Sequence, residues 1–383
     1  MKQLEVQKFL KNKVASGLTN LEALQSLSTE LGIKVKVYDD PQDRMVLLDY
    51  DQFESPKTHP IVIECRSLIL CLDTFDLVSQ KFNRFFNLGE CPEFYSDFQF
   101  EGSYVMEKVD GSLIGVYNRN GVWQISTRDM AKAEGEHILG GTFREKVLAA
   151  FGFHSEQAFQ SFFNAKLKPG NTFVFEYISP ENRIVTKYEK AEMVLLGINN
   201  MGEELRFQTM KDLSAFFKSY GFNVRLPELY DATRDIEQLV EAANSFKNLE
   251  EGFVVWDPFS GKRVKIKAKT YLAAHKLRGE NAIPTRKNLL SLVLEGEVDE
   301  FLAYFPEWTE AVAALQKEVA DFEAYLLEVW FDVCNIQDQK EFALKVKDLR
   351  GSGFLVEAKK KKKSPVAIFR ETDVNKKMRV FGV

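Results

Sequence analysis

Cysteine and histidine are scarce in this chain of 383 residues, four of each. Their spacing excludes whole classes of chemistry. Cys65, Cys71, Cys91 and Cys334 contain no CxxC pair, so they make neither a zinc site nor a disulfide framework and are expected as free thiols. His59, His137, His154 and His275 form no HExxH cluster, which argues against a zinc hydrolase. A Walker A loop and a GxGxxG string are also missing, so any nucleotide is held in another way. No apolar run approaches the ~20 residues of a membrane span, and the opening MKQLEVQKFLKNK lacks the apolar centre of a signal peptide. A cytoplasmic location follows as the expectation, the host cytoplasm if the source is viral. Excess positive charge is lacking too: 51 Lys and Arg face 56 Asp and Glu, a net charge of -5, so a nucleic-acid site must be local.

What is present is enough apolar sequence, 45%, for a large core in two domains with a flanking extension. The first 32 residues read as helical, with Thr19 and Glu22 as a capping box and Gly32 as the stop. Strand signals occupy 33–39, 44–50, 61–72 and 76–82, then SYVMEK, GSLIGVY and VWQIST, with a hairpin across Asn120 and Gly121. Helices are expected near 134–166 and 208–218, and further strands at 172–178, 193–198, 252–256 and 263–267. Strict alternation of strand and helix is rare over 33–270, which predicts an α+β fold with mainly antiparallel sheets. Beyond residue 275 the pattern is helical. Val312, Leu315, Val319, Phe322, Leu326, Val329 and Val333 form one apolar stripe on a long helix that packs in a small helical domain. The segment 351–383 holds nine Lys/Arg against three acids, a basic tail that is either a solvated arm or a source of phosphate contacts.

The segment Glu107 to Ser112, EKVDGS, lies between two strands and sets a lysine two residues before an acid and three before a glycine. A nucleophilic amine needs such a fixed position, with a carboxylate near and backbone room for a phosphate. A K-x-D-G string arises by chance in roughly one chain of this length in ten, so it decides nothing alone. Glu176 sits inside the apolar strand TFVFEYI, opposite Phe173, Phe175 and Tyr177, where a carboxylate must be paired or must bind something. Glu251 and Gly252 open GFVVW, either as a strand-entry turn or as a second functional acid. Arg263, Lys265 and Lys267 share one face of RVKIK, which is a solvated face or a basic site.

In this order the motifs resemble the covalent nucleotidyltransferases, the ligases and RNA-capping enzymes that form a lysine-AMP or lysine-GMP adduct. Within them the chain is similar to the phage RNA ligase 1 family, through ECRSLIL (64–70), FFNLGE (85–90), EKVDGSL (107–113), FEYISPENRIV (175–185), EEGFVVW (250–256) and KIKAKTY (265–271). The resemblance implies an antiparallel-sheet nucleotidyltransferase (adenylyltransferase) domain over 33–275. A smaller all-helical C-terminal domain over 276–350 follows, between an N-terminal helical extension (1–32) and the basic tail. It implies an ATP-dependent RNA ligase, a monomer that joins RNA 3′-OH and 5′-phosphate ends through lysine-AMP and RNA-adenylate intermediates. The setting would be RNA or tRNA repair, with cleaved tRNA among the candidate substrates. Lys108 is the implied nucleophile, with Asp110, Glu176, Glu251, Lys265 and Lys267 completing the catalytic set. Arg66 and Arg84 would hold the outer phosphates of ATP, and Phe86, Gly111, Arg128 and Tyr271 would line the nucleotide site. Glu176 and Glu251 would hold Mg²⁺. The family has lysine where this chain has Arg84 and Arg128, a point charge exchanged for a planar fork. The rival readings are an mRNA guanylyltransferase or DNA ligase of the same superfamily, and a catalytically inactive RNA-binding relative.

Overall fold

The computed structural model describes residues 3–135, 141–231, 235–246, 249–278 and 284–383. The chain divides into two compact units, Met1–Leu272 and Ala273–Val383. Helices α1 (Glu5–Ala15) and α2 (Asn20–Leu31) open the first unit. The Thr19 hydroxyl accepts from the Glu22 N–H, the Glu22 carboxylate accepts from the Thr19 N–H, and Gly32 ends α2 in the left-handed conformation at φ 63°. Strands β1 (Ile33–Asp40) and β2 (Asp43–Tyr50), helix α3 (Pro60–Glu64) and strands β3 (Leu68–Cys71) and β4 (Leu77–Ser79) follow. The four strands pair antiparallel in chain order. Leu10, Leu24 and Leu27 close on Val46, Leu48 and Leu70, so the two helices are a layer of this core where the sequence suggested an extension. The run 61–72 is not one strand as its β-branched residues implied. Pro60 starts α3 at its first helical position, and the chain turns at Ser67 (φ 53°) before β3.

The rest of this unit runs through β5 (Phe86–Asn87), β6 (Tyr104–Glu107), β7 (Ser112–Arg119), β8 (Val122–Ser126), α4 (Phe143–Phe151), α5 (Glu156–Lys166), β9 (Asn171–Ile178) and β10 (Glu192–Asn200). It ends with β11 (Glu203–Glu204), α6 (Phe207–Ser219), β12 (Val224–Arg225), β13 (Leu229–Tyr230), α7 (Ile236–Asn244), β14 (Gly252–Trp256) and β15 (Arg263–Lys267). One sheet has the order β11-β10-β9-β7-β8, with β12 beside β10, and the other the order β13-β6-β14-β15-β5. All these pairings are antiparallel except β10 with β12 and β15 with β5. The α+β class expected from the sequence is the one found. The β7–β8 hairpin turns on Asn120 and Gly121, both at positive φ. The helical stretch expected near 134–166 holds α4 and α5, parted at Gly152 (φ 102°), and 136–140 lie outside the described residues.

Phe173, Phe175 and Tyr177 turn one face of β9 into an aromatic core with Phe151, Phe159, Phe163 and Phe217 of α4, α5 and α6. Each such side chain contributes roughly 1.5–3 kcal/mol on burial, so β9 is rigidly backed and its other face, which carries Glu176, is held in place. Lys81 is also in the interior, 1% exposed, with Nζ donating to the Thr127 carbonyl at 3.1 Å. Burial lowers its pKa to about 7. Between that value and the usual lysine value the unfolded chain holds a proton that the folded chain lacks, so stability climbs as pH rises through this window, at up to ~1.4 kcal/mol per pH unit. Lys81→Met should therefore be more stable than the parent near pH ~6.5, with the gain shrinking by pH ~10. Urea unfolding of both proteins at the two pH values checks this, and a pH-independent difference would contradict it.

The second unit is helical: α8 (Lys269–Arg278) leads into it, and α9 (Arg286–Glu295), α10 (Val298–Tyr304), α11 (Thr309–Val333), α12 (Gln339–Val346), α13 (Ser352–Lys361), α14 (Pro365–Glu371) and α15 (Val374–Arg379) build it. The expected stripe is the buried side of α11, with Val312, Leu315, Phe322, Leu326 and Val333 inside. The basic segment 351–383 is not a solvated arm. It folds as α13, α14 and α15, and Phe354, Phe369 and Phe381 pack around Phe322 at 6.3, 5.3 and 5.4 Å between ring centres. The lysine count masked these apolar residues. The lysine run begins in the last turn of α13, where the helix dipole favours cations. No described helix is long and apolar enough to cross a membrane.

Candidate active site

The turn between β6 and β7 is fixed at three points. The Lys108 N–H donates to the Gly252 carbonyl at 2.9 Å, and the Asp110 N–H donates to the Tyr188 hydroxyl at 3.0 Å. At Gly111 a Cβ would stand 2.4 Å from the Tyr177 carbonyl oxygen, so only glycine lets β7 start this close to β9. Asp110 is buried, and its carboxylate accepts from the Val185 and Thr186 N–H groups at 2.7 and 2.8 Å and from the Tyr271 hydroxyl at 2.8 Å. Burial and the charge of Glu251 raise its pKa, against the pull of those donors. Asp110 thus pins the ENRIV loop and Tyr271 to the lysine turn.

Glu251 joins two lysines. Its carboxylate lies 2.5 Å from Lys108 Nζ and 2.9 Å from Lys267 Nζ, with the acid 4% exposed. Burial works against its charge, but Lys108 and Lys267 outweigh that and hold its pKa below the usual value. Gly252 follows at φ 133°, where a Cβ would meet the Ile266 carbonyl at 2.0 Å, so the Glu-Gly pair is what lets β14 and β15 close behind the acid. Lys265 is pushed far below the usual lysine pKa by burial and then by Arg66, Lys108 and Lys267. Arg263, on the same face of β15, is spent on an ion pair with Glu204 and packs over Phe82 and Trp256. Glu176 is buried and makes no hydrogen bond or ion pair among the described residues. Burial raises its pKa to about 8, with Lys108 opposing the shift and Glu251 and Asp110 adding to it.

Arg66 lies within the field of Glu176 and Lys265, and Arg128 lies within the field of Arg66. The Arg66 guanidinium is 4.7 Å from the centre of the Phe85 ring, and Lys265 Nζ is 4.5 Å from the same ring. Arg84 and Arg128 lie 3.9 and 5.3 Å from the centre of the Tyr50 ring. Among the described residues only Arg128 of these three has a carboxylate, its Nε donating to Asp49 at 3.0 Å, and Nη1 of Arg66 and Nη1 of Arg84 are buried with no hydrogen-bond partner. Buried donors without acceptors are costly, and here they belong to cations that are short of counter-charge.

Lys108, Glu176, Glu251, Lys265, Lys267 and Arg66 are therefore brought together, and Arg84 and Arg128 meet on one ring. Phe86 is 2% exposed, packs edge-on against Phe94 and Tyr95 and lies 5.3 Å from the Arg84 guanidinium. Phe85 is the ring that Arg66 and Lys265 share, because neighbouring residues of an extended chain face opposite ways. Asp49, Tyr50, Phe85 and Tyr188 escaped the sequence reading. The only signal for Tyr50 is an acid-aromatic pair at the end of β2, which reads as an ordinary strand edge.

A family model described as RNA ligase matches residues 64–271. A protein of Autographa californica nuclear polyhedrosis virus, named as a bifunctional polynucleotide kinase/RNA ligase, is 36% identical over 292 residues, covering 74% of this chain and 40% of that protein. The chain thus spans two fifths of the length of that relative. An RNA ligase of Rhodothermus phage RM378 is 26% identical over 318 residues, covering 69% of this chain and 70% of its own. Among solved structures, a mutant RNA ligase of Naegleria gruberi without ligand aligns with a TM-score of 0.40 at 16% identity, covering 52% of this chain and 58% of that one. Another mutant of the same protein, with ATP and Mn, aligns to the same extent.

Proposed function

The chain belongs to the RNA ligase family, and from that membership we propose that it joins RNA 3′-OH and 5′-phosphate ends at the expense of ATP, through a lysine-AMP adduct on Lys108. The observation that carries this reading is Lys108 resting on the Glu251 carboxylate at 2.5 Å, within the field of cations that outnumber their acids. Lys108 Nζ forms a bond to the α-phosphorus of ATP, and the bond to pyrophosphate breaks. An oxygen of the RNA 5′-phosphate then displaces Lys108 from AMP. In the third step the RNA 3′-OH attacks the adenylylated 5′-phosphate, loses its proton and releases AMP. Before the first step Lys108 must lose a proton. The Glu251 carboxylate, 2.5 Å from Lys108 Nζ, is placed to accept it.

Arg66 and Arg84, whose buried Nη1 donors lack acceptors, suit the outer phosphates, and Arg128, Phe85 and Tyr271 complete the nucleotide's surroundings. Glu176 is a buried carboxylate that makes no hydrogen bond or ion pair among the described residues, which fits a hydrated divalent cation better than an apolar neighbour, and Glu251 is the second acid at hand. Mg²⁺ held there supplies neutralisation of phosphate charge. Asp110 acts by position, holding the lysine turn to the loop at 182–188. The same reading has the protein acting as a monomer in the cytoplasm on broken RNA, with a cleaved tRNA as a candidate substrate, in repair. The helical region from 276 onward serves the choice of RNA.

The test is joining of a 5′-phosphorylated RNA to a 3′-OH RNA with ATP or with GTP. ATP-dependent joining with release of AMP supports the reading. A GMP adduct without joining would point to a capping enzyme, and RNA binding with no nucleotide uptake would identify an inactive relative. Within 351–383, Lys360, Lys362, Lys376 and Arg379 are exposed and form no ion pair among the described residues. Changing all four to serine should flatten the salt dependence of RNA binding, by up to ~0.7–0.9 in log–log slope per lost phosphate contact, and leave AMP uptake unchanged. An equal slope measured by fluorescence anisotropy would assign these residues to solvent alone.

A further inference from the structure

The groups of this site stand on two sheets, Lys265 and Lys267 on β15 and Glu176 on β9 of the other, with Lys108 in the turn that passes from β6 to β7 and so from one sheet to the other. Where Lys108 stands therefore depends on how that turn is held against both. A row of three residues crosses the sheet of β9: Glu176 pairs with Val194 of β10, and Val194 pairs with Arg225 of β12. Paired residues share a face, and the neighbours of this row, Tyr177, Met193 and Val224, lie in the aromatic core, so the row faces the other way. Three consecutive residues of the lysine turn meet it. Val109 clusters with Val194, the charge of Lys108 reaches Glu176, and Glu107 is gripped by Arg225.

That grip has two points. Arg225 Nη1 and Nη2 donate to the two carboxylate oxygens of Glu107 at 2.7 and 3.1 Å, with the side chains 25% and 19% exposed. The Glu228 N–H donates to the same carboxylate at 3.1 Å, and the Glu107 N–H donates to the Glu228 carbonyl at 2.8 Å. Arg225 is held in turn by Glu192, 3.5 Å from its Nε, and by the Leu226 carbonyl. Because β12 and β6 belong to different sheets, the pair spans between them one residue before Lys108.

We propose that Arg225 is a positioning residue for the nucleophile: through its two-point hold on Glu107 it fixes the lysine turn against the face that carries Glu176, and so sets where Lys108 Nζ meets the phosphorus it attacks. The proposal rests on the reading of Lys108 as the nucleophile. A planar fork on a carboxylate fixes direction as well as distance, which the ammonium of a lysine does not. A partly exposed pair adds little to stability, and its effect here is on placement. Lys108 takes AMP from ATP and passes it to RNA, but the last step, attack of the 3′-OH on an adenylylated end, does not use it. Arg225 should therefore matter to AMP uptake and not to final sealing.

The test compares these two steps in the full chain. Arg225→Met should slow AMP uptake from ATP on the order of 10²-fold, the cost of a reacting atom misplaced by about 1 Å, with KM for ATP within about twofold of the parent. Sealing of a pre-adenylylated RNA should stay within about threefold, because Glu176 remains on its rigidly backed strand. Arg225→Lys should fall between parent and Met variant in uptake, and Glu107→Gln added to Arg225→Met should cost little more, since the pair is already broken. Equal losses in both steps, a loss carried by KM alone, or no loss at all would overturn the proposal. Should Arg225→Met fail to fold, Arg225→Lys is judged by the same comparison of the two steps. Failure of the ligase reading would appear as absence of AMP uptake by the parent, and the placement is then read from the rate at which acetic anhydride modifies Lys108, mapped by mass spectrometry. A several-fold faster rate in the Arg225 variant, with that of Lys376 unchanged, supports the hold, and an unchanged rate at Lys108 overturns it.

Discussion

Lys108→Ala should abolish RNA joining that starts from ATP, by a factor on the order of 10⁴ or more, while sparing the sealing of an RNA that already carries a 5′-adenylyl group. The nucleophile is needed to take AMP from ATP, and losing a nucleophile removes the step rather than weakening it. Sealing of a pre-adenylylated end asks only for the 3′-OH, the leaving AMP and the charges around them. The fold should survive, because Lys108 is an 18%-exposed turn residue and Glu251 keeps its second partner, Lys267. Parallel assays with ATP and with pre-adenylylated RNA make the comparison. ATP-dependent joining by the alanine variant would dismiss Lys108 as the nucleophile, and loss of both activities would make it structural.

The two glutamates should behave alike in activity and oppositely in stability. Glu176→Gln and Glu251→Gln are each expected to reduce AMP uptake at least ~10²-fold, since a neutral amide holds neither Mg²⁺ nor a lysine as a carboxylate does. In metal-free buffer, Glu176 is a buried acid with no hydrogen bond or ion pair among the described residues, its pKa raised by burial to about 8. The unfolded chain loses that proton near the usual carboxylate value and the folded chain only near pH 8, so the group costs stability increasingly across this window and fully above it. Glu176→Gln should therefore gain stability at pH ~8, on the order of 1–3 kcal/mol, and gain nothing at pH ~4. Glu251→Gln should lose about 3–5 kcal/mol, because it leaves Lys108 and Lys267 without the carboxylate that bridges them. Denaturant unfolding in the presence of a chelator separates the two, and equal losses would mean that Glu176 has a structural partner after all.

Local rules make much of the fold legible in the sequence. The capping box at Thr19, the hairpin at Asn120 and Gly121 and the apolar stripe of α11 each depend on residues within a few positions of one another. Readings failed where a single neighbouring residue or a distant element decides. The run 61–72 has strand composition, but Pro60 starts a helical turn in it. The lysines of 359–363 look like a tail until Phe354, Phe369 and Phe381 are found around Phe322, a residue more than thirty positions upstream. In the site, the motif residues could be read because chemistry restricts them to particular types at particular intervals. Tyr50 and Phe85 could not, because an aromatic residue serves a core or an arginine equally well and only the meeting of three chain segments shows which. Phe86 illustrates the same limit: one residue of register decides that Phe85 meets Arg66 and Lys265 while Phe86 meets Arg84 and packs on Phe94.

If Lys108 carries AMP between ATP and RNA, the site of covalent label shows it. The protein is incubated with α-labelled ATP and Mg²⁺ without RNA, digested, and its peptides mapped. One labelled peptide is expected, the one containing Lys108, joined through an acid-labile phosphorus–nitrogen bond and discharged when 5′-phosphorylated RNA is added. Label on any other residue, label taken from GTP in preference to ATP, or no covalent label under these conditions would contradict it.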